Sequence, residues 1–392
     1  MNKIEELIKE KCPNGVEYKT LDNVCKINKG KQLNKDGLLT DGLYPVINGG
    51  ITPSGYWNEY NYNENLITIS QGGASAGYVA FQYNKFWAGA HCYVVESCNN
   101  EMNYKYIYHF LKEKEKGLQS SQVGAGIPSV SLKEIYGLRI PVPSLEIQDE
   151  IANILDKFGK LEAELEAELE ARKSQYEFWR DKMFKFENRD DVQWLKLKDI
   201  KTEIYRGNGI KRDEVTEDGI PCVRYGEIYT TYNIWFDECK SHTTKDVVKN
   251  PKTFTNNDLL FAITGESIEE ISKTIAYTGN KTCYAGGDIV VMKHNQNGKY
   301  LSYALSTSDA IRQKGKGKVK SKVVHSSVPS IEEIVVPIVS IEEQEEIVRK
   351  LDDFYILIND FKYGIPAEIE ARRKQYEYYR NKLLSFEEVS CE

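Results

Sequence analysis

The 392-residue chain is poor in several things, and each shortage excludes something. It has no apolar run near the roughly 20 residues needed to cross a bilayer. The longest candidate, residues 334–341, is interrupted by Pro337. The start, MNKIEELIKEKCPNG, is polar and carries acids where a secretory leader would be basic and then apolar, so a cytoplasmic location is expected. The eight cysteines form no CxxC pair, which together with that location predicts free thiols. Five scattered histidines lack metal-ligand spacing, so no metal site is expected. There is no GxxxxGK[ST] phosphate loop, since GKGKVKSK at 315–322 has the wrong spacing. No Asn-Pro-Pro-aromatic or Asp-Pro-Pro-aromatic stretch of the adenine-methyltransferase kind occurs, and NPKTF at 250–254 does not qualify. No nucleophile, base and orienting group stand in a legible pattern. The expectation is a chain without catalytic residues.

Net charge is −7, which looks wrong for a nucleic-acid binder. The acidity is local, however. Residues 141–187 carry −5 and residues 337–392 carry −5, which leaves +3 for everything else.

What is present is a duplication. EARKSQYEFWRDKMFKF (170–186) returns as EARRKQYEYYRNKLLSF (370–386), and PVPSLEIQDEIANILDKF (141–158) as PIVSIEEQEEIVRKLDDF (337–354). VEYKTLDNV (16–24), YPVINGG (44–50), NLITISQGG (65–73) and WAGAHCYVV (87–95) pair in the same order with VQWLKLKDI (192–200), IPCVRYG (220–226), DLLFAITGE (258–266) and YAGGDIVVM (284–292). Each half therefore reads as one globular module followed by one helical one. The predicted boundaries are 1–140, 141–190, 191–336 and 337–392. Short apolar or β-branched runs bounded by Gly, Asn and Asp make the globular modules mainly β. Helices fit 104–117 and 300–315.

In the helical modules an apolar stripe steps by threes and fours from Ile147 to Phe186 and from Ile347 to Phe386. Ser144 and Ser340 are suited to cap the starts. LEAELEAELEA (161–171) is a tandem four-residue unit; the second copy has YGIPAEIEA, whose Gly364 and Pro366 predict a break. A helix over 144–186 would be about 64 Å long. Its stripe needs a partner, and the cheapest is its copy at 341–386, paired antiparallel as a coiled coil with a globular module at either end. The fold class expected is α+β: two mainly-β recognition domains alternating with two long helical segments. Such a shape suits a spaced, two-part target, of which duplex DNA is the obvious example.

The pattern resembles the specificity (S) subunit of type I restriction-modification enzymes. The residues that carry the resemblance are VEYKTLDNVCKINKGK (16–31), NLITISQGGASAGYV (65–79), IPSVSLKEIYGLRIPVPSLEIQDEI (127–151) and EARKSQYEFWRDKMF (170–184), with their second copies. The resemblance implies sequence-specific DNA recognition of a bipartite target, one half-site per domain. It also implies a non-catalytic role beside two methyltransferase subunits and the restriction subunits, with S-adenosylmethionine, ATP and Mg on those partners. Val339 in place of Pro143, and the Gly364–Pro366 interruption, depart from the first copy. The alternatives are the specificity part of another methyltransferase-nuclease system, and a coiled-coil scaffold that binds no DNA.

Base reading needs Arg, Lys, Asn or Gln on protruding loops. The first-module candidates are Lys29, Lys31, Gln32, Asn48, Gln71 and Ser75; the second-module candidates are Arg206, Asn208, Lys211, Arg224, Tyr225 and Lys273. The run RQKGKGKVKSK supplies Arg312, Lys314, Lys316, Lys318, Lys320 and Lys322 for phosphate contact. Partner contacts are expected at Tyr176, Phe178, Trp179 and Arg180 and at Tyr376, Tyr378, Tyr379 and Arg380, because aromatics and Arg dominate interface hot spots.

Overall fold

The computed structural model of the chain describes residues 2–33, 38–120, 128–245, 250–316, 323–360 and 362–389. It divides into two compact units. The first combines residues 1–166 with 368–392, and the second is residues 167–367.

In the first unit an antiparallel sheet runs in the order Cys25–Lys29, Cys92–Cys98, Leu66–Ser70, Val79–Gln82. A smaller sheet places Tyr44–Ile47 beside Trp87–Ala88 in parallel. The inward residues of the larger sheet, Ile27, Ile67, Ile69, Val79 and Val95, pack on the helix Tyr104–Ser120 through Tyr106, Ile107 and Phe110. The module closes on itself: Glu17–Thr20 pairs antiparallel with Arg139–Val142, so its first and last strands are neighbours. An N-terminal helix, Asn2–Lys11, also joins this core by burying Ile4.

The second unit repeats the plan. Lys201–Arg206, Ile289–His294, Leu259–Ala262 and Thr274–Tyr277 form the antiparallel part of a five-stranded sheet, and Gln193–Lys196 closes on Val335–Ile338. The single helix expected over 300–315 is two helices, Gly298–Ala304 and Ser308–Gly315. Thr307 divides them, because its hydroxyl caps the second helix by accepting from Ala310 N.

The long helix Leu145–Met183 is continuous for 39 residues, whereas its copy is broken into Ile341–Asn359 and Ile365–Leu383, with Gly364 and Pro366 at the interruption. Ser340 caps its helix as expected, accepting from Glu343 N at 3.3 Å. The stripe divides its work. Ile147, Ile151 and Leu155 sit in the first unit's core, and Ile347, Val348, Leu351 and Ile358 in the second's. Beyond those turns the helices pair within each unit. In the first, Phe158 stacks on Tyr379 at 5.6 Å and Glu162 takes Arg373 at 2.6 Å, an antiparallel register. In the second, Tyr176 meets Phe354 edge-on at 6.0 Å and Arg189 pairs with Glu343.

The same anchors recur in each unit at the junction of module and helix. Gln148 and Gln344, both fully buried, donate to the carbonyls of Pro143 and Val339 and accept from Asn103 N and Asn297 N. Tyr106 donates to Pro141 O, and Tyr300 to Pro337 O. Asp156 meets His109 at 2.9 Å, and Asp352 accepts from Tyr303 at 2.7 Å. These bonds fix how each helix leaves its module. Among the described residues no helix is long and apolar enough to cross a membrane.

Candidate nucleic-acid interface

In each unit the loop that leaves the sheet's first edge strand meets the loop before its neighbour at a pair of facing glycines. In the second unit the strand Lys201–Arg206 ends at Gly207, whose N–H donates to Ile289 O at 2.8 Å, and Asn208 N donates to Ala285 O at 3.0 Å. A Cβ on Gly207 would lie 2.3 Å from Gly286 O, so no other residue fits there. The first unit makes the same turn. Gly30 N donates to Cys92 O and Lys31 N to Ala88 O, both at 2.8 Å, and a Cβ on Gly30 would lie 2.2 Å from Gly89 O. Glycine is required here for close backbone approach, and in the second unit a hollow rimmed by the next side chains lies beside the crossing.

The second unit's hollow is an open cleft of about 470 Å³. Four of the predicted residues line it together: Arg206, Asn208, Arg224 and Tyr225. Arg206 is held by Asp288 and by the Gly287 carbonyl. Asn208 donates to Asn250 O at 2.6 Å. Arg224 follows the strand Ile220–Val223 and precedes the short helix Tyr225–Thr230; its N–H donates to the Glu227 carboxylate at 2.8 Å. Tyr225 is 41% exposed. Lys211 is exposed outside this group, with its ammonium 4.0 Å from Glu214.

In the first unit Lys29, Lys31 and Gln32 are exposed on the equivalent loop. Asn48 ends the strand Tyr44–Ile47 and faces it. Its Oδ1 accepts from His91 N at 2.9 Å, and its amide covers Gly89, where a Cβ would lie 2.9 Å from it. Gln71 joins the same crossing through its N–H, which donates to His91 O at 2.8 Å. Ser75 is half-buried in the neighbouring turn, its carbonyl accepting from Tyr78 N.

Other predicted residues lie elsewhere. Lys314 is buried, 7% exposed, and donates to Thr274 Oγ1 and Leu305 O at 3.0 and 2.8 Å. Burial pushes its ammonium down to about 7, and it presents nothing to a phosphate. Lys273 is drawn inward to Tyr232 O at 3.1 Å, and burial lowers its pKa too. Arg312 is exposed and paired with Asp309, and Lys316 is exposed. Lys318, Lys320 and Lys322 lie outside the described residues.

On the helices, Tyr176 and Arg380 are core residues, at 6% and 7% exposure, and Arg180 is mostly covered beside Asp181. Each arginine lies over the tyrosine one turn back on its own helix, and Tyr176 packs across on Phe354, so Tyr176 and Arg380 present little surface. Tyr376 is likewise occupied, its hydroxyl 3.0 Å from His109 Nδ1, and Tyr379 by its stacking on Phe158. Phe178 and Tyr378 stand at 61% exposure each and Trp179 at 40%. Phe178 lines a groove of about 1000 Å³ with Lys182, Met183, Phe186, Ile347 and Lys350. Sequence reasoning missed this groove, although a stripe residue, Ile347, forms one of its walls.

Among the described residues no group of three or more His, Cys, Asp or Glu side chains is arranged to hold a metal ion. What the two crossings offer is polar side chains set around a tight glycine-to-glycine contact, and in the second unit these line the cleft.

The family model for the type I restriction modification DNA specificity domain matches residues 13–171 and again 189–371. A type I restriction enzyme specificity subunit of Escherichia coli is 30% identical over 305 residues, covering 75% of this chain and 74% of that one. The crystal structure of a type I restriction-modification S subunit from Mycoplasma genitalium superposes with a TM-score of 0.57 at 19% identity, covering 94% of this chain and 96% of that one. A chain from a type I system solved for its complex assembly and conformational transition gives 0.62 at 13% identity, over 95% and 98%. These two structures share the fold.

Proposed function

This chain belongs to the type I restriction modification DNA specificity family, and on that premise we propose that it is the sequence-reading subunit of a type I restriction-modification complex. Each unit reads one half of a bipartite duplex target. The observation that carries the reading is the repetition of the glycine-to-glycine crossing, flanked by Lys31 and Asn48 in one unit and by Asn208 and Arg224 in the other. Backbone floors admit a base edge closely, and side-chain donors at the rim distinguish one edge pattern from another. Exposed Lys29, Lys31, Lys211 and Lys316 supply phosphate attraction, which positions without specifying.

In this reading the chain carries no chemistry of its own. Methyl transfer and cleavage belong to two methyltransferase subunits and the restriction subunits, which bind S-adenosylmethionine, ATP and Mg. Of the helix aromatics expected to meet partners, Phe178, Trp179 and Tyr378 are the ones left exposed, and the Phe178 groove gives a partner a seat. The four modules run 1–140, 141–190, 191–336 and 337–392.

The test is module exchange. Residues 192–335 are replaced by the corresponding module of another specificity subunit, the chain is co-expressed with its methyltransferase subunits, and modified motifs are mapped by long-read sequencing. One half of the motif is expected to change and the other to stay. A change in both halves, or no motif in the unaltered complex, refutes the proposal.

A further inference from the structure

We infer that Arg224 is the side chain with which the second unit selects a base, and that the base is a guanine presented edge-on. The inference rests on the DNA-recognition reading above and adds a residue and a letter to it.

The cleft holds two cations, Arg206 and Arg224. Arg206 is committed to Asp288 and the Gly287 carbonyl. Arg224 is not. Among the described residues its guanidinium makes no hydrogen bond, its Nε is buried without a partner, and its nearest carboxylate oxygen, Glu227 Oε1, is 3.7 Å away. That carboxylate is occupied: Oε2 accepts from Arg224's own N–H, and Oε1 accepts from Ser241. Glu227 therefore fixes the backbone from which the side chain springs and supplies a counter-charge, while the guanidinium fork is left unspent. A buried donor without an acceptor is costly in a folded chain and signals an acceptor that arrives from outside.

The equivalent position in the first unit sharpens the point. Ile47 and Val223 accept from Gly89 N and Gly286 N in the same way, which aligns Asn48 with Arg224. Asn48 lies down on Gly89 and spends its Oδ1 on His91 N. A bidentate asparagine contact to adenine needs that oxygen, so Asn48 has only its amide hydrogens to offer. Over Gly286 the nearest atoms to an added Cβ are the Val223 carbonyl oxygen and the Arg224 Cα, so the arginine head is not packed against the floor. The same scaffold position is a lock in one unit and, in the other, a fork held only by a 3.7 Å ion pair to Glu227.

The chemistry of that fork names its target. Two parallel N–H donors match the O6 and N7 acceptors of guanine. Adenine and cytosine each present a donor there, and thymine one acceptor beside a methyl group.

The test uses the full chain assembled with its methyltransferase subunits. R224Q and R224K are compared with the unaltered complex by mapping methylated motifs and by equilibrium binding to duplexes changed one base pair at a time. R224Q is expected to erode discrimination at one G·C position by roughly 10- to 100-fold, within the half-site set by residues 192–335, and to leave the other half-site alone. R224K, which keeps the charge and the stem, is expected to retain part of the preference, and it decides the matter if R224Q lowers the melting temperature. An unchanged motif in both variants overturns the assignment while leaving DNA reading intact. Uniform weakening at every sequence also overturns it, because that marks a phosphate contact. An unaltered complex with no sequence preference instead overturns the reading on which the inference rests.

Discussion

Gly207→Ala is expected to unseat the second unit's cleft, and the size of the effect follows from distances. The added carbon would stand 2.3 Å from Gly286 O and 2.5 Å from Ala285 O, both backbone atoms that cannot swing aside. Relieving the clash to an ordinary contact of about 3.4 Å requires the two loops to part by about 1 Å. Overpacking of this kind costs about 1–3 kcal/mol. The hydrogen bonds from Gly207 N and Asn208 N span the same gap, and losing one adds about 1 kcal/mol. A total of about 2–4 kcal/mol lowers the melting temperature of a unit this size by roughly 4 to 16 °C. Gly209→Ala is the control: it lines the same cleft two residues on, yet nothing lies within 4 Å of its added carbon. Its stability is expected to change by less than about 0.5 kcal/mol. Differential scanning calorimetry of the full-length variants reads both. Equal effects from the two substitutions, or none from Gly207→Ala, would refute the claim that the glycines are there for backbone contact. Motif mapping supplies the functional side: Gly207→Ala is expected to damage the second half-site, and Gly30→Ala, with its carbon 2.2 Å from Gly89 O, the first.

Two further outcomes are expected. Burial holds the His294 imidazole down to about 4 from its ordinary 6.5, with Nδ1 accepting from Gln296 N at 3.2 Å. The unfolded chain takes up this proton first, so the contribution is complete above pH 6.5 and is lost as pH falls toward 4, by up to about 3 kcal/mol. His294→Asn is expected to flatten denaturation midpoints between pH 7 and 5 relative to the unaltered chain; parallel curves would exclude His294 as the titrating group. Adding one Leu-Glu-Ala-Glu unit after Leu169 extends the helix by about 6 Å and is expected to widen the unread spacer by one or two base pairs. An unchanged methylated motif argues against a spacing role.

Much of this was legible in the sequence where periodicity carries the signal. The duplication, the strand runs, and the break at Gly364 and Pro366 are local patterns, and the structure keeps them. The cleft residues Arg206, Asn208, Arg224 and Tyr225 were found singly, but their meeting depends on Gly207 facing Gly286, a contact 79 positions apart with no local signature. Lys314 misled because alternating cations read as an exposed phosphate-contacting run, whereas the helix Ser308–Gly315 turns that one position onto Thr274 and Leu305. The N-terminal helix was passed over as a polar start, although Ile4 and Leu7 are spaced to bury one face. Gln148 and Gln344 did leave a trace: the same polar residue stands at the same place in both copies of the helical module.

The first unit is discontinuous in the chain, and this sets an order of events at the ribosome. Its core takes Leu383 and Leu384 from the far end, Val16 exchanges main-chain bonds with Glu387 and Val389, and Arg139 pairs with Glu388. Residues 167–367 lie wholly between these pieces. At roughly 5–20 residues per second, about 10–40 s pass between translation of the two parts. The unit that starts first is therefore the last to be completed, and the intervening one can finish while its predecessor still waits for its closing helix. A nascent chain cut short before residue 368 strands an unfinished apolar face, so premature termination near the end is a hazard for the beginning.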